Sequence, residues 1–263
     1  MATALPLIRT LFDSVGPNPW VVRLAFQSKG IRMLKHGTTA TSTSDTPRAA
    51  VQSYKLKMID GVPENRHPTM LAKNPAGTTP FIELEDGTCL AESVTICEYL
   101  DLLYPNERQL TGGPDPLTQM QCSMWTTRVQ IGITQPFQRQ YQYGEGAPYF
   151  KHHVPWVEAS VPALAGLRKQ TIDNLRWLEE VMQDNANKGV DTGFIAGTAH
   201  CTVPDLQLYT TAKFMGHPKV NVARLTDSFD PGGDGTFGPW LTEWYARMDN
   251  IVKEMEGQQG ELG

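Results

Sequence analysis

The chain has 263 residues, a formal net charge of -5, 40% hydrophobic residues and 19% charged residues. This composition is typical of a globular protein with an apolar core, and the length predicts two domains. The acidic balance and the lack of a Lys- and Arg-rich run argue against a nucleic-acid-binding protein. No stretch approaches the roughly 18 apolar residues of a membrane span, and the N-terminus lacks a basic region followed by a long apolar one. We therefore expect a cytoplasmic protein without a nucleic-acid or membrane partner.

Metal chemistry has little support in the sequence. The four cysteines are too widely spaced for a CxxC motif; they are Cys89, Cys97, Cys122 and Cys201. The histidines include the pair His152-His153 but form no HxxxH or HExxH pattern. We expect no metal site, and we expect Cys89 and Cys97 to be buried as small hydrophobic residues because both lie in apolar contexts.

The first third of the chain alternates strand and helix patterns. The apolar run from Leu7 to Phe12 predicts a buried strand. Pro19 is suited to the first turn of a helix, and the apolar residues after it predict a helix that ends by Gly30. A short helical piece is predicted from Pro68 to Lys73, because the following Asn74-Pro75 disfavours helical angles.

Two stretches compete for the second strand. Tyr54 to Ile59 alternates apolar and polar residues and is the favoured prediction, whereas Ile31 to Lys35 is the alternative. Between them lies a segment rich in Thr and Ser, which predicts a surface insertion at about residues 37–53.

The stretch from Asn74 to Leu103 predicts a hairpin followed by a helix. Phe81 to Leu84 and Thr88 to Leu90 are short apolar-rich runs, and the Asp86-Gly87 turn between them favours an antiparallel pair. The next helix begins at Glu92-Ser93, and its N-terminus could bind a ligand carboxylate. Ser93 could cap this helix and touch the ligand, while Glu92 could accept from a ligand ammonium; alternatively, the two residues serve only as N-cap and first-turn acid.

The Thr79-Pro80 bond is predicted to be cis. Pro80 opens a strand after a Gly-Thr-Thr loop that would bring backbone groups close to the Glu92-Ser93 helix start. The alternative is an ordinary trans proline at a strand edge, since only about 5% of X-Pro bonds are cis. The first domain therefore reads β-α-β-α-β-β-α.

The second half of the chain changes to long helical patterns. Apolar stripes predict helices at 116–133, 164–183 and 239–255. Thr202 and Asp205 have the spacing of a capping box, with a role in folding. The aromatic stretch from Gln138 to Trp156 either lines an apolar pocket or packs within the domain. The Gly-rich loop at 227–239 has no phosphate-binding pattern and is predicted to be a connector.

Several of these segments together resemble the cytosolic glutathione S-transferase family over nearly the full length of the chain. The resemblance is closest to a fungal and bacterial subgroup typified by the second yeast glutathione transferase. The segments that carry it are Gly16 to Ala25, Leu71 to Gly87, Leu90 to Ser93, Ile96 to Leu100, Phe194 to Gly197, Thr202 to Asp205 and Trp244 to Met248.

This resemblance implies an α+β protein of two domains. They are a thioredoxin-like, glutathione-binding domain at 1–107 and an all-α helical, electrophile-binding domain at 116–263, joined by a linker at 108–115. It also implies a homodimer. By carry-over, Thr79 before the cis Pro80 pairs through its backbone with the cysteinyl part of glutathione, and Glu92 and Ser93 hold the γ-glutamyl end. Arg66 or His67 would meet the glycyl carboxylate.

The predicted function is a glutathione transferase that uses glutathione as co-substrate and conjugates its thiolate to a small apolar electrophile. The family activates the thiol with a Tyr, Ser or Cys near the first helix. The loop here offers Ser14 and Asn18, and water is a third possibility. Phe137, Tyr141 and Tyr143 are predicted to contact the electrophile. The alternatives are a non-catalytic ligand carrier or assembly module, and a glutathione-dependent peroxidase.

Overall fold

The structure, a computed structural model, describes residues 5–36, 50–150, 158–215 and 238–257. The described chain divides into two compact units. The N-terminal unit comprises the residues up to Thr111 together with those from Val252 onward, and the helical unit comprises Gly112–Ile251. No helix in these ranges is long and apolar enough to cross a membrane.

A mixed sheet of five strands forms the centre of the N-terminal unit. Its strands are β1 (Ile8–Asp13), β2 (Arg32–Lys35), β3 (Ala50–Lys55), β6 (Phe81–Leu84) and β7 (Cys89–Ala91), and their spatial order is β2-β3-β1-β6-β7. β3 is parallel to β1 and to β2, whereas β6 is antiparallel to β1 and to β7. Central β1 and β6 are buried almost throughout, but edge strand β2 is not. This gradient is expected because a central strand is covered on both faces.

Three helices complete the N-terminal unit: α1 (Pro17–Ser28), α2 (Pro68–Leu71) and α3 (Ser93–Leu103). α1 and α3 pack against each other and bury apolar side chains such as Leu24, Phe26 and Leu100. α1 begins two residues earlier than predicted. Pro17 takes the first helical position, where the missing N–H would have no partner in any case.

The predicted second strand was partly wrong. The second strand, β2 (Arg32–Lys35), lies in the alternative stretch, and only Tyr54 and Lys55 of the favoured stretch lie in the sheet, at the end of β3. Beyond it, β4 (Met58–Ile59) and β5 (Val62–Pro63) form a separate hairpin around Asp60-Gly61, where φ is 50° and 78°. Two positive φ angles reverse the chain in a tight turn, so the alternating pattern does not continue in one strand.

The limits of the predicted insertion also need correction. Residues 50–53 belong to β3 and pair with β1 and β2. The rest of the insertion, residues 37–49, lies outside the described residues, as do His152-His153 and residues 227–237 of the predicted connector.

The helical unit contains α4 (Pro116–Val129), α5 (Gln135–Tyr143), α6 (Ala147–Phe150), α7 (Val161–Asn187), α8 (Val203–Met215) and most of α9 (Pro239–Gly257). A π-helical turn, Gln130–Thr134, joins α4 to α5. Within it, a Cβ on Gly132 would lie 2.9 Å from Asn174 Oδ1 of α7. The π turn therefore packs closely against α7, which the helical stripe of the sequence did not predict.

The predicted capping box at the start of α8 is confirmed. The Asp205 carboxylate is fully buried and accepts hydrogen bonds from the Thr202 N–H (2.9 Å), the Ile195 N–H (3.0 Å) and Trp244 Nε1 (2.9 Å). Burial raises the pKa of Asp205, and these donors oppose the shift. The Asp205 side chain thus connects residues 194–197, the start of α8 and the middle of α9.

Candidate active site

The strand register brings three loop ends to one end of the sheet. Phe12 at the end of β1 pairs with Phe81 at the start of β6, and Phe81 pairs with Ala91 at the end of β7. The residues that follow β1, precede β6 and follow β7 therefore share this end, which we call the site edge. They include Ser14, Thr79 and Glu92.

The loop before β6 carries the cis Thr79-Pro80 bond, so this prediction is confirmed. Two asparagine side chains hold the loop: Asn74 Nδ2 donates to the Thr78 carbonyl (2.9 Å) and Asn65 Nδ2 donates to the Gly77 carbonyl (2.5 Å). Gly77 has φ 58°, an angle that glycine adopts readily. The local sequence therefore fixes where the Thr79 backbone lies.

Ser14 and Thr79 meet at the site edge. Their hydroxyl oxygens are 2.7 Å apart, so either can donate to the other. Both residues are half-buried. The sequence predicted that Ser14 lies near the thiol and that only the backbone of Thr79 contacts glutathione. It did not predict the contact between the two side chains that the structure shows.

The backbone of Ser14 is held by an ion pair that sequence reasoning missed. Arg23 Nη1 of α1 lies 2.7 Å from Asp13 Oδ1 and also donates to the Ser14 carbonyl (3.2 Å), while Asp13 Oδ1 accepts from the Ser14 N–H (2.9 Å). Burial raises the pKa of Asp13, and the Arg23 guanidinium opposes this shift. Residues ten positions apart on a strand and a helix leave no local spacing signal for such a pair.

The helix start at Glu92-Ser93 differs in detail from the prediction. Glu92 is the N-cap residue and makes no side-chain cap, whereas Ser93 is the first helical residue, so Ser93 does not cap α3. Glu92 is exposed and has φ 71°, a strained angle for a residue other than glycine, and such strain is concentrated at functional sites. The Ser93 hydroxyl has no hydrogen-bond partner among the described residues. It lies beside the first N–H groups of α3, which have no partner within the helix.

A family model described as "Glutathione S-transferase, N-terminal domain" matches residues 11–108. Residues 11–108 form a glutathione S-transferase N-terminal domain. The site edge lies entirely within it, and the family resemblance predicted from the sequence is confirmed.

Relatives of the whole chain agree with this result. Glutathione S-transferase 2 of Saccharomyces cerevisiae is 26% identical over 245 residues, which cover 90% of this chain and 84% of that protein. A crystal structure of a glutathione S-transferase domain-containing protein from Marinobacter aquaeolei has a TM-score of 0.64 and 26% identity, covering 91% of this chain and 96% of that one. The structure of Gtt2 from S. cerevisiae has a TM-score of 0.64 and 22% identity, covering 94% and 99%. The α+β class, with a thioredoxin-like unit and an all-helical unit, is confirmed.

Two further predicted residues of the glutathione S-transferase domain lie just before α2. Arg66 Nη1 donates to the Ala76 carbonyl at 3.3 Å, and a Cβ on Gly77 would lie 2.9 Å from the same atom. Arg66 therefore lies along the loop that leads to Thr79. His67 directly precedes α2, and its buried Nε2 has no hydrogen-bond partner among the described residues.

The remaining predicted residues are more scattered. Asn18 is the second residue of α1, half-buried and already engaged in an interaction. Phe137 is 0% exposed and packs in the core from α5, so its contact with an electrophile stays a prediction. Tyr141 and Tyr143 are half-buried, and Tyr141 packs edge to face against Phe150 and Phe214.

The cysteines differ in burial, and none of them belongs to a metal-binding cluster among the described residues. Cys97, Cys122 and Cys201 are buried, whereas Cys89 is half-buried because it lies on edge strand β7. Burial raises the pKa of the Cys122 thiol to about 11. Within the described ranges, no group of three or more His, Cys, Asp or Glu side chains is arranged to hold a metal ion.

Proposed function

We propose that this protein is a glutathione transferase that conjugates the glutathione thiolate to a small apolar electrophile. The observation that carries the proposal is the site edge itself. A cis Thr79-Pro80 bond, a hydroxyl on Ser14 and the N-terminus of α3 converge there within a glutathione S-transferase N-terminal domain.

Each part of glutathione has a matching group at the site edge or just before α2. The backbone of Thr79, held before the cis Pro80, pairs with the cysteinyl peptide group. The Ser93 hydroxyl and the first N–H groups of α3 bind the γ-glutamyl carboxylate, since a helix N-terminus favours an anion. The exposed Glu92 carboxylate accepts from the γ-glutamyl ammonium, and Arg66 or His67 binds the glycyl carboxylate.

Ser14 activates the sulfur in this proposal. The thiolate is the nucleophile, and a hydroxyl that donates to it lowers the thiol pKa. The thiol proton leaves to solvent, the sulfur forms a bond to the electrophilic carbon, and the leaving group departs with its electron pair. Asn18, at the N-terminus of α1, is the second candidate donor. Tyr141 and Tyr143 stay as candidates for contact with the electrophile.

Glutathione titration tests the binding part of the proposal. We expect Ser93→Ala and Glu92→Gln to weaken glutathione binding in calorimetry by about tenfold each, because the first removes a hydrogen bond to the carboxylate and the second removes the negative charge that faces the ammonium. Glu98→Gln makes the same change on an exposed residue of the same helix and should bind like the wild type. Unchanged affinity in both site variants would overturn the assignment.

Conjugation assays test the catalytic part. Residues 13–19, from the end of β1 into the first turn of α1, include neither Tyr nor Cys, which favours a non-catalytic carrier as the second candidate function. Glutathione binding without turnover across several electrophiles would support the carrier. Turnover of hydroperoxides, but not of electrophilic carbon compounds, would support a glutathione-dependent peroxidase.

We also propose that the protein is a homodimer and that α4 contributes to the interface. Leu117, Met120 and Met124 are exposed at helical spacing on one face of α4, and Ile131 continues this face in the π turn. An exposed apolar stripe of this kind marks an interaction surface. Met120→Glu with Ile131→Glu should give a monomer in sedimentation, whereas a dimer that persists would contradict this role for the stripe.

The domain limits at 1–107 and 116–263 are likewise proposals, which limited proteolysis within 108–115 would test.

A further inference from the structure

The side chain of Thr79 has a contact that the proposed recognition of glutathione does not require. Pairing with the cysteinyl peptide group uses only the backbone of the residue before the cis proline. The Thr79 hydroxyl nevertheless lies 2.7 Å from Ser14 Oγ. The two residues are 65 positions apart in sequence, so this contact is made by the fold at the site edge.

The direction of this hydrogen bond decides what Ser14 can do. Each hydroxyl has one proton to donate. If Ser14 donates to Thr79, its proton is not available to the sulfur. A hydrogen bond to a charged acceptor is about twice as strong as one between neutral groups. With a thiolate at the site, the Ser14 proton therefore turns to the sulfur, and Thr79 donates to Ser14 Oγ.

Hydrogen bonds hold the Ser14 backbone in place, so backbone movement contributes little to turning the Ser14 proton toward the sulfur. Its N–H donates to Asp13 Oδ1 (2.9 Å), its carbonyl accepts from Arg23 Nη1 (3.2 Å), and the Asp13–Arg23 ion pair (2.7 Å) joins the two anchors. What remains free is rotation of the Ser14 side chain and of its O–H bond. The Thr79 hydroxyl acts on both of these rotations.

We propose that Thr79 is a positioning residue, whose hydroxyl donates to Ser14 Oγ and thereby directs the Ser14 proton toward the glutathione sulfur. The inference rests on the proposed function. Thr79 transfers no proton: it stays neutral throughout, and the thiol proton leaves to solvent. A donor on Ser14 Oγ polarises that hydroxyl and strengthens its bond to the thiolate, so Thr79 lowers the pKa of the bound thiol through Ser14.

Thr79→Val and Thr79→Ser test the proposal, because Val keeps the shape without the hydroxyl and Ser keeps the hydroxyl. The readout is the pKa of the thiol of bound glutathione, from the ultraviolet absorbance of the thiolate, together with the pH profile of kcat/KM. Thr79→Val should raise this pKa and lower kcat/KM at neutral pH by about 2- to 10-fold, the usual effect of one neutral hydrogen bond. Thr79→Ser should restore both, and the Kd of glutathione measured at a pH well below the thiol pKa should not change.

A double-mutant cycle separates positioning from a structural role. In a Ser14→Ala background, Thr79→Val should have no further effect on the thiol pKa, because the residue it acts through is gone. Thr88→Val is the matched control: Thr88 is exposed in the turn between β6 and β7, and its replacement should leave the pKa unchanged.

Two results would overturn the positioning role alone. One is a wild-type thiolate signal that Thr79→Val leaves unchanged, and the other is an equal effect of Thr79→Val with and without Ser14. A wild-type protein that binds glutathione without thiolate formation or conjugation would overturn the proposed catalytic function as well. The two failures are therefore distinguishable.

Discussion

Lys29 and Asp101 form an ion pair in the interior of the N-terminal unit, with Nζ and Oδ1 2.6 Å apart and side chains 0% and 6% exposed. Lys29 Nζ also donates to the Arg108 carbonyl (2.6 Å), and Asp101 accepts from the N–H groups of Leu110 and Thr111. The pair thus fastens the chain that follows α3 to the ends of α1 and α3.

Lys29→Met should reduce the free energy of unfolding by about 3–5 kcal/mol, the usual cost of removing one partner of a buried ion pair. The Asp101 carboxylate would stay buried without its cation. Urea denaturation measures the change. Arg9→Met is the control, because Arg9 pairs with Glu83 and its side chain is 52% exposed. This substitution should cost about 1 kcal/mol or less. Equal losses in the two variants would contradict this account of the buried pair.

Asp205→Ala should destabilise the helical unit by about 3–7 kcal/mol. It removes a helix cap, worth about 1 kcal/mol, and leaves the Ile195 N–H and Trp244 Nε1 buried without an acceptor, at about 1–3 kcal/mol each. Asp115→Ala is a matched control, since Asp115 caps α4 in an exposed position and accepts from the Thr118 N–H (2.8 Å). It should cost far less, because no buried donor loses its acceptor there. Thermal unfolding of the two variants checks the difference.

Glu83 makes the N-terminal unit sensitive to acid. Its burial favours the neutral form, but hydrogen bonds from Lys73 and Arg9 outweigh this effect and lower the pKa of Glu83. A lowered pKa means stabilisation that is present above the unfolded-state pKa, about 4.3, and is lost as pH falls through the folded-state value. Glu83→Gln should remove about 1 kcal/mol at neutral pH and less at acidic pH. A loss that stays constant between pH 7 and pH 3 would be inconsistent with this ion-pair network.

Gly77→Ala should weaken glutathione binding by about tenfold. A Cβ there would lie 2.9 Å from Arg66 Nη1 and 3.1 Å from the Asn65 carbonyl at a φ of 58°, so Arg66, a candidate for the glycyl carboxylate, must move and the backbone before Thr79 is strained. Gly87→Ala is the matched control, because Gly87 also has a positive φ, 86°, but no atom lies within 4 Å of its added Cβ. That variant should lose about 1 kcal/mol of stability and keep its affinity. Calorimetric titration of both variants makes the comparison.

Sequence patterns predicted the parts of the fold that depend on local chemistry. Periodic apolar residues located α1, α3 and α7, and the Thr202–Asp205 spacing identified the cap of α8. The Thr79-Pro80 bond was correctly predicted to be cis, because the position of Pro80 between a Gly-Thr-Thr loop and a strand is itself a local feature.

Features that depend on distant partners were not predictable in this way. The contact of Ser14 with Thr79 follows from sheet register, and the pair of Asp13 with Arg23 follows from the placement of α1 beside the end of β1; one sequence reveals neither. The burial of Phe137 was not predictable either, because aromatic side chains suit both pockets and cores. The Asp60-Gly61 turn is a local signal for the β4–β5 hairpin, but the end of β3 at Lys55 depends on its pairing with β1 and β2.

A crystal structure with glutathione bound tests the central claim most directly. The account predicts that the γ-glutamyl carboxylate lies at the Ser93 hydroxyl and the start of α3, and that the sulfur lies about 3–3.5 Å from Ser14 Oγ. The Thr79 hydroxyl should still contact Ser14. Glutathione bound elsewhere, or a sulfur that meets another donor and not Ser14, would contradict it.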